Sequence, residues 1–357
     1  MAATQTFDEA AVEAFVGRAL GDLGGAMTTL FCALGDRLGL LKALETDGPV
    51  SSGDLAAQLG LNERYVREWL RGMNAAGYLE YDLDSQQFSL PAEHAPVLAQ
   101  ETGPVFFGGV YQELMGSLAA LDQVTDAFRA GGGAPQETYP SDLWEGMERF
   151  TASWFENLLL SEWLPAVPEV RAKLEQGAKV ADVGCGAGRA LIKLAGAFPN
   201  SRCSGFDAFG GQLDRARQNA AWAEIGDRVT FERRDVAAAG LPERFDLITT
   251  FDVVHDAVDP LALLKAIRAG LEPGGTYLLL EINCADHAHD NQGPVAQVLY
   301  GFSVLYCMTS SLAQDGAGLG TCGLPESRIR ALAAEAGFGS VTRVAENPFN
   351  VLYALTK

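Results

Sequence analysis

The residues able to do chemistry in this chain fall into a few tight groups. The first is Asp182-Val183-Gly184-Cys185-Gly186-Ala187-Gly188-Arg189, which follows a short apolar stretch and precedes a helical one. Glycines are needed where a strand turns sharply into a helix and a ligand must approach the backbone, because a Cβ would block it. The dinucleotide fingerprint G-x-G-x-x-G requires glycine at position 189, where this chain has Arg189. Asp182 is also badly placed for a pyrophosphate, although it suits an ammonium group. The second group is Asp207, 25 residues after Asp182 at the end of the next apolar stretch, where a carboxylate can accept both hydroxyls of a ribose. The third is Asp235-Val236, whose carboxylate can accept from an adenine amino group.

A ligand carrying an ammonium, a ribose and an adenine but no phosphate satisfies all three groups, and S-adenosylmethionine fits that description. A fourth group, Phe251-Asp252-Val253-Val254-His255-Asp256-Ala257-Val258-Asp259, closes a further apolar stretch. Ligands of open α/β sheets lie beyond the carboxyl ends of the strands, so His255 is aimed at the cofactor. Methyl transfer from a sulfonium needs alignment and often removal of a proton from the nucleophile, which a histidine can do near neutral pH. A last group, Glu281 to Asp290, holds His287 and His289; it could bracket His255, bind a metal through two imidazoles and a carboxylate, or be a polar loop. No metal is assigned, and His287 and His289 are the candidates if one binds.

The elements that must position these groups follow from hydrophobic patterning. Val180–Val183, Arg202–Phe206, Val229–Glu232, Leu247–Phe251 and Tyr277–Ile282 are short apolar strands separated by helical stretches, the alternation of a parallel sheet covered on both faces. Val341–Val344 and Val351–Thr356 are expected as antiparallel closing strands. An insertion from about Gly293 to Gly323 holds an apolar helical stretch, Val295 to Met308, and then Asp315-Gly316-Ala317-Gly318-Leu319-Gly320. It is expected to cover the site, with Phe302, Tyr306 and Met308 as an apolar wall and the glycines as a hinge. Residues 100–175 read as helical with an aromatic-rich stretch, of which Trp154 and Phe155 are taken as further substrate contacts.

Upstream, Phe7 to Leu44 reads as an amphipathic helix broken or bent near Gly24-Gly25. A helix from Ser52 to Leu59, a Gly60-Leu61-Asn62 turn, a helix from Glu63 to Ala76 and a hairpin through Phe88 resemble a winged helix. Residues 51–90 carry three basic and six acidic side chains, and the whole chain carries a net charge of -20 with Lys+Arg 26 against Asp+Glu 46. That sign repels nucleic acid, so a packing and dimerisation role is expected of the module. The N-terminus shows no basic or apolar leader pattern, no run approaches the ~18 apolar residues of a membrane span, and the six cysteines include no C-x-x-C pair. A cytoplasmic protein without membrane or nucleic-acid partners is the expectation.

With Leu271-Glu272-Pro273-Gly274-Gly275 before the fifth strand, these motifs resemble the class I S-adenosylmethionine-dependent methyltransferases over roughly residues 176–283 and the C-terminal strands. The resemblance implies an α/β fold, a doubly wound Rossmann-like methyltransferase sheet with an N-terminal, mainly helical winged-helix domain. It implies domains at 1–98 (winged helix, dimerisation), 99–175 (helical bridge) and 176–357 (cofactor binding). Asp182, Gly184, Gly186, Gly188, Asp207, Asp235, Val236 and Phe251 would bind S-adenosylmethionine. The winged-helix start and His255 together resemble the dimeric small-molecule O-methyltransferases, whose base lies in a His-Asp-Trp-x-Asp segment; His255, Asp256 and Asp259 match, and Ala257 replaces the aromatic. The expected activity is methylation of a small-molecule acceptor oxygen by a homodimer with His255 as general base. The alternatives are a C- or N-methyltransferase, metal-assisted in the manner of the iron-assisted C-methyltransferases of α-keto acids, a cofactor-sensing transcriptional regulator, and an inactive scaffold.

Overall fold

The computed structural model describes residues 7–357, so the leader reading, which rests on the first nine residues, falls largely outside them. The chain divides into two compact units, one ending at Gln112 and one spanning Glu113–Lys357. The stretch expected as a bridge, 99–175, contributes residues to both.

The first unit opens with helix α1, Glu9–Arg37, whose Asp8 cap accepts the backbone N–H groups of Ala10 and Ala11 at 3.0 and 3.3 Å. The break expected at Gly24-Gly25 does not occur: α1 runs through both. A glycine costs a helix about 1 kcal/mol but removes no hydrogen bond, so a long helix tolerates it. Thr28 and Thr29 also bond back to the Gly24 and Gly25 carbonyls, at 3.0 and 2.9 Å. The far end of α1 packs inward through Cys32 and Gly35, and Trp69 donates to the Phe31 carbonyl at 2.8 Å. Its first five turns leave Phe15, Val16, Leu20 and Leu23 exposed.

Helices α2, Leu40–Asp47, α3, Ser52–Leu59, and α4, Glu63–Ala75, follow, with Ser51 and Asn62 capping the last two. Val66, Trp69, Leu70 and Met73 recur at helical spacing and bury one face of α4. On the rest of α4, Arg64 pairs with Glu68 and Arg67 with Glu63, so these arginines are neutralised within their own helix. Strands β1, Glu80–Asp82, and β2, Gln87–Ser89, form the antiparallel wing with Tyr81 opposite Phe88.

The second unit is built on a seven-stranded sheet. Its strands are β3, Lys179–Val183; β4, Arg202–Asp207; β5, Val229–Arg233; β6, Phe245–Phe251; β7, Leu271–Ile282; β8, Ser340–Glu346; and β9, Asn350–Thr356. Their order is β5-β4-β3-β6-β7-β9-β8, parallel except for β9, which runs antiparallel to both neighbours. Alternate residues enter two separate cores. Val180, Leu247, Leu278 and Leu280 join one, while Ala181, Val183, Ile248 and Leu279 join the other. That division explains the continuous apolar runs, since a parallel sheet with helices on both faces has no wet side. The order reverses between β3 and β6, which opens a crevice at their carboxyl ends.

Two features of the insertion differ from expectation. Pro294–Leu312 forms one continuous helical stretch, with mean hydropathy 1.3, long and apolar enough to cross a membrane by length and composition. Its Ser303, Tyr306 and Cys307 side is buried in the second unit's own packing. The glycines that follow are not a free hinge. A Cβ at Gly316 would lie 2.5 Å from the Ser311 hydroxyl, Ala317 N–H donates to the Val258 carbonyl at 2.9 Å, and Gly318 N–H to the Ser311 hydroxyl at 3.2 Å. Glycine is required there because the backbone is pressed against its neighbours.

Candidate functional site

The glycine turn leaves β3 and enters the helix Arg189–Ala197. Gly184 has φ +74°, and a Cβ there would meet Val253 at 2.6 Å; Gly188 has φ +76°, and a Cβ would meet Phe231 at 2.7 Å. Both positions therefore exclude any side chain on two grounds. At Gly186, φ +47°, the space is open, which leaves the backbone approachable by a ligand. Gly186 N–H donates to Asp207 Oδ2 at 2.9 Å, and Phe209 N–H donates to Asp207 Oδ1 at 2.8 Å. These bonds hold the Asp207 carboxylate at the end of β4, beside the glycine turn.

Asp182 is buried, and Thr249 on the adjacent strand donates to it at 2.7 Å. Burial pushes its pKa up to about 7, only partly offset by that hydrogen bond, so a cationic group nearby would favour its charged form. Asp235 sits after β5 and uses Oδ1 to cap a short helix through Ala238 N–H at 3.1 Å. Val236 is buried in the second core. A set of two carboxylates, open glycine backbone and no basic side chain on the turn except Arg189 suits an ammonium and a ribose better than a phosphate. Arg189 is itself engaged: its Nε donates to the buried Glu148 at 2.7 Å, and Asn219 donates to the same oxygen at 2.9 Å. This strap ties the helix after the glycine turn to the helix Ser141–Trp154.

The aromatic residues divide between two environments. Phe251 stacks on Trp163, centroids 5.9 Å apart, and meets Phe155 edge-on at 5.0 Å, so Phe155 and Phe251 lie in the packing of the first core. Trp154 packs on Phe150 at 4.6 Å. Tyr306 is buried between Tyr139 and Trp144, at 5.4 and 5.7 Å, and Trp144 in turn lies 4.8 Å from Phe209 beside Asp207. Phe302 and Met308 are half-buried on the insertion helix. Sequence reasoning passed over Trp144 and Phe209, which lie next to the carboxylate it did select.

His255 follows β6 and is 3% exposed. Its Nδ1 donates to Glu281 Oε2 at 2.7 Å, and Val254 N–H donates to Glu281 Oε1 at 2.8 Å. Burial opposes protonation of the ring, but the Glu281 charge and the ring's hydrogen bonds to Cys307 and Glu281 outweigh it and hold the pKa well above its ordinary value. Asp252, at φ +55°, accepts both Asn350 Nδ2 contacts at 3.1 and 3.0 Å. Burial raises Asp252 and Asp256 to about 7, His255 moderating each. Burial, and after it the Asp252 charge, raises Glu113 to about 8. Glu281, Asp252, Glu113 and Cys307 were not selected from sequence. The only signal for Glu281 is a carboxylate that follows the apolar run Tyr277–Leu280. His287 and His289 are exposed, and among the described residues neither joins a group of three metal-ligand side chains.

Residues 174–314 match the methyltransferase domain family, and residues 26–100 match the Rv2258c-like winged HTH domain family. Residues 174–314 are thus similar to a methyltransferase domain. It is 36% identical over 109 residues to the ubiquinone biosynthesis O-methyltransferase of Cereibacter sphaeroides, covering 30% of this chain and 42% of that protein. The chain thus spans less than half the length of the relatives it matches in this way. Among solved structures, PigF with SAH has 19% identity and a TM-score of 0.70, covering 95% of this chain and 98% of that one. NcsB1, an O-methyltransferase from neocarzinostatin biosynthesis in complex with S-adenosyl-L-homocysteine and 1,4-dihydroxy-2-naphthoic acid, has 19% identity and a TM-score of 0.63, again covering 95% and 98%. These likenesses extend the shared fold beyond the methyltransferase domain to nearly the whole chain.

Proposed function

We propose that the chain transfers the methyl group of S-adenosylmethionine to an oxygen of a small-molecule acceptor, with His255 as the base. The observation that carries this reading is His255 held by Glu281 beyond the carboxyl end of β6, on the same edge of the sheet as the glycine turn and Asp207. When bound, the cofactor supplies a methyl group already activated on a sulfonium. Asp207 would hold the ribose, the Gly184–Gly188 turn and Asp182 the methionine end, and Asp235 with Val236 the adenine side. His255 keeps its Nδ1–H on Glu281, so in its neutral form, populated as pH rises toward its raised pKa, Nε2 is the atom that takes a proton from the acceptor hydroxyl. Glu281 stabilises the imidazolium that results. Tyr306 with Trp144 and Phe209 supplies apolar walls that favour a flat, weakly charged acceptor and exclude water.

The test is production of S-adenosylhomocysteine against a panel of phenolic and carboxylic acceptors. His255→Ala should bind cofactor normally and lose at least about 100-fold in turnover. Full turnover by that variant refutes the base, and turnover confined to carbon or nitrogen acceptors refutes the oxygen assignment. A transcriptional regulator is disfavoured by the self-paired arginines of α4, and saturable DNA binding at low salt would reverse that.

The homodimer and the cytoplasmic setting belong to the same reading. A helix whose first five turns are exposed is not stabilised by propensity alone, so the exposed Phe15, Leu20 and Leu23 face of α1 is assigned to a second copy of the chain. Light scattering should give twice the monomer mass for the wild type and the monomer mass for a Phe15→Glu, Leu20→Glu variant. The six free cysteines suit a reducing compartment.

A further inference from the structure

His255, Asp256 and Cys307 place one ligand-type atom each within 4.8 Å of one another. We propose that these three side chains form a binding site for a single thiophilic divalent cation of the zinc class. Ligands around tetrahedral zinc stand ~3.5 Å apart, so small side-chain rotations close the set. A thiolate, an imidazole and a carboxylate together select zinc or its neighbours over magnesium or calcium, which prefer oxygen alone. His255 and Cys307 are 3% and 8% exposed, and Asp256 is half-buried. Three protein ligands leave the fourth position open toward water or an acceptor.

Two further observations favour an ion here. Metal-ligating histidines generally donate the other ring N–H to a carboxylate, which fixes the tautomer and raises ligand basicity. The His255–Glu281 bond of 2.7 Å, backed by Val254 N–H at 2.8 Å on Glu281, is that arrangement; it occupies Nδ1 and leaves Nε2 as the ligand atom once its proton is displaced. In addition, Asp252, Asp256 and Glu281 surround His255 with no lysine or arginine ion-paired to any of them among the described residues. A second set, Asp252, His255 and Glu281, also lies within 4.8 Å, but His255 is bonded to Glu281 and Asp252 to Asn350.

Binding replaces the Cys307 thiol proton and the proton on His255 Nε2 of the imidazolium with the metal and releases both to solvent; no electron changes hands. The ion then occupies the Nε2 lone pair, so the loaded protein cannot use His255 as a base. This consequence, unlike the site itself, rests on the function proposed above.

The test is titration of Co2+ into metal-free, untagged full-length protein, read by absorbance. The expected result is saturable one-to-one binding with a thiolate-to-cobalt charge-transfer band in the near ultraviolet. The band disappears in Cys307→Ser, and affinity falls at least tenfold in Asp256→Asn and 10- to 100-fold in Glu281→Gln, with circular dichroism showing that each variant is folded. Absence of a saturable band, or a band unchanged in Cys307→Ser, overturns the site. In a parallel assay, Zn2+ should inhibit turnover, a chelator should restore it, and Cys307→Ser should need at least tenfold more Zn2+ for half-inhibition. If the cobalt band behaves as expected while Zn2+ leaves turnover unchanged, the metal site stands and His255 is not the base.

Discussion

Glu281→Gln is the substitution whose effect the geometry fixes most closely. The carboxylate uses one oxygen for His255 Nδ1–H and the other for Val254 N–H. Glutamine keeps the shape but offers one acceptor oxygen and an amide that donates, so one of the two N–H groups loses its partner. Both residues are buried, His255 at 3% and Glu281 at 1% exposure, and the bond is charge-assisted when the ring is protonated. A hydrogen bond to a charged group is worth roughly 1.5–3 kcal/mol, and about 1.36 kcal/mol corresponds to one pKa unit. The His255 pKa should therefore fall by about one to two units in the variant. The chain has four histidines, so nitrogen-detected imidazole spectra across a pH series can follow each. Wild-type His255 should titrate well above the ordinary histidine range, and the variant should titrate lower. On the sign of linkage, a raised histidine pKa lends stability that is complete below the unfolded value and lost as pH rises through the folded value. The wild type should therefore lose more stability than Glu281→Gln across that interval. A His255 inflection that does not move on substitution would refute the claim that Glu281 sets this base.

Other consequences can be measured separately. Gly188→Ala forces a Cβ to 2.7 Å from Phe231 at φ +76°, so it should lower stability by about 1–3 kcal/mol in urea unfolding and abolish measurable S-adenosylhomocysteine binding. Asp207→Ala should weaken S-adenosylhomocysteine at least tenfold by calorimetry, because it removes the proposed ribose acceptor and frees Gly186 and Phe209 N–H together. Glu113, raised from 4.5 to about 8 by burial and the Asp252 charge, favours folding when protonated. Its contribution is complete below pH ~4.5 and is lost as pH rises toward 8, so Glu113→Gln should remove up to about 4 kcal/mol of the stability difference between pH 5 and pH 8.

Periodicity and punctuation alone determined much of this protein. Short apolar runs separated by helical stretches specified a parallel sheet, since a sheet covered on both faces has no polar side to alternate with. Glycines between a strand and a helix marked the turn after β3, because only glycine adopts φ near +75° there without a clash. The three basic and six acidic side chains of residues 51–90 marked that module as net acidic, while the pairing of Arg64 with Glu68 and Arg67 with Glu63 came only with the folded helix. What chain order could not supply was the set of partners brought together from distant segments. Glu281 lies 26 positions from His255 in sequence, and only the pairing of β6 with β7 puts its carboxylate on the ring. Cys307 reaches the same histidine from the insertion helix, and His287 and His289 turn out to be exposed because the loop holding them leaves the sheet edge. The Gly24-Gly25 break and the Gly316–Gly320 hinge are absent for a common reason. A glycine records only that a side chain is absent, and the surrounding contacts decide whether the chain there bends, continues or is clamped.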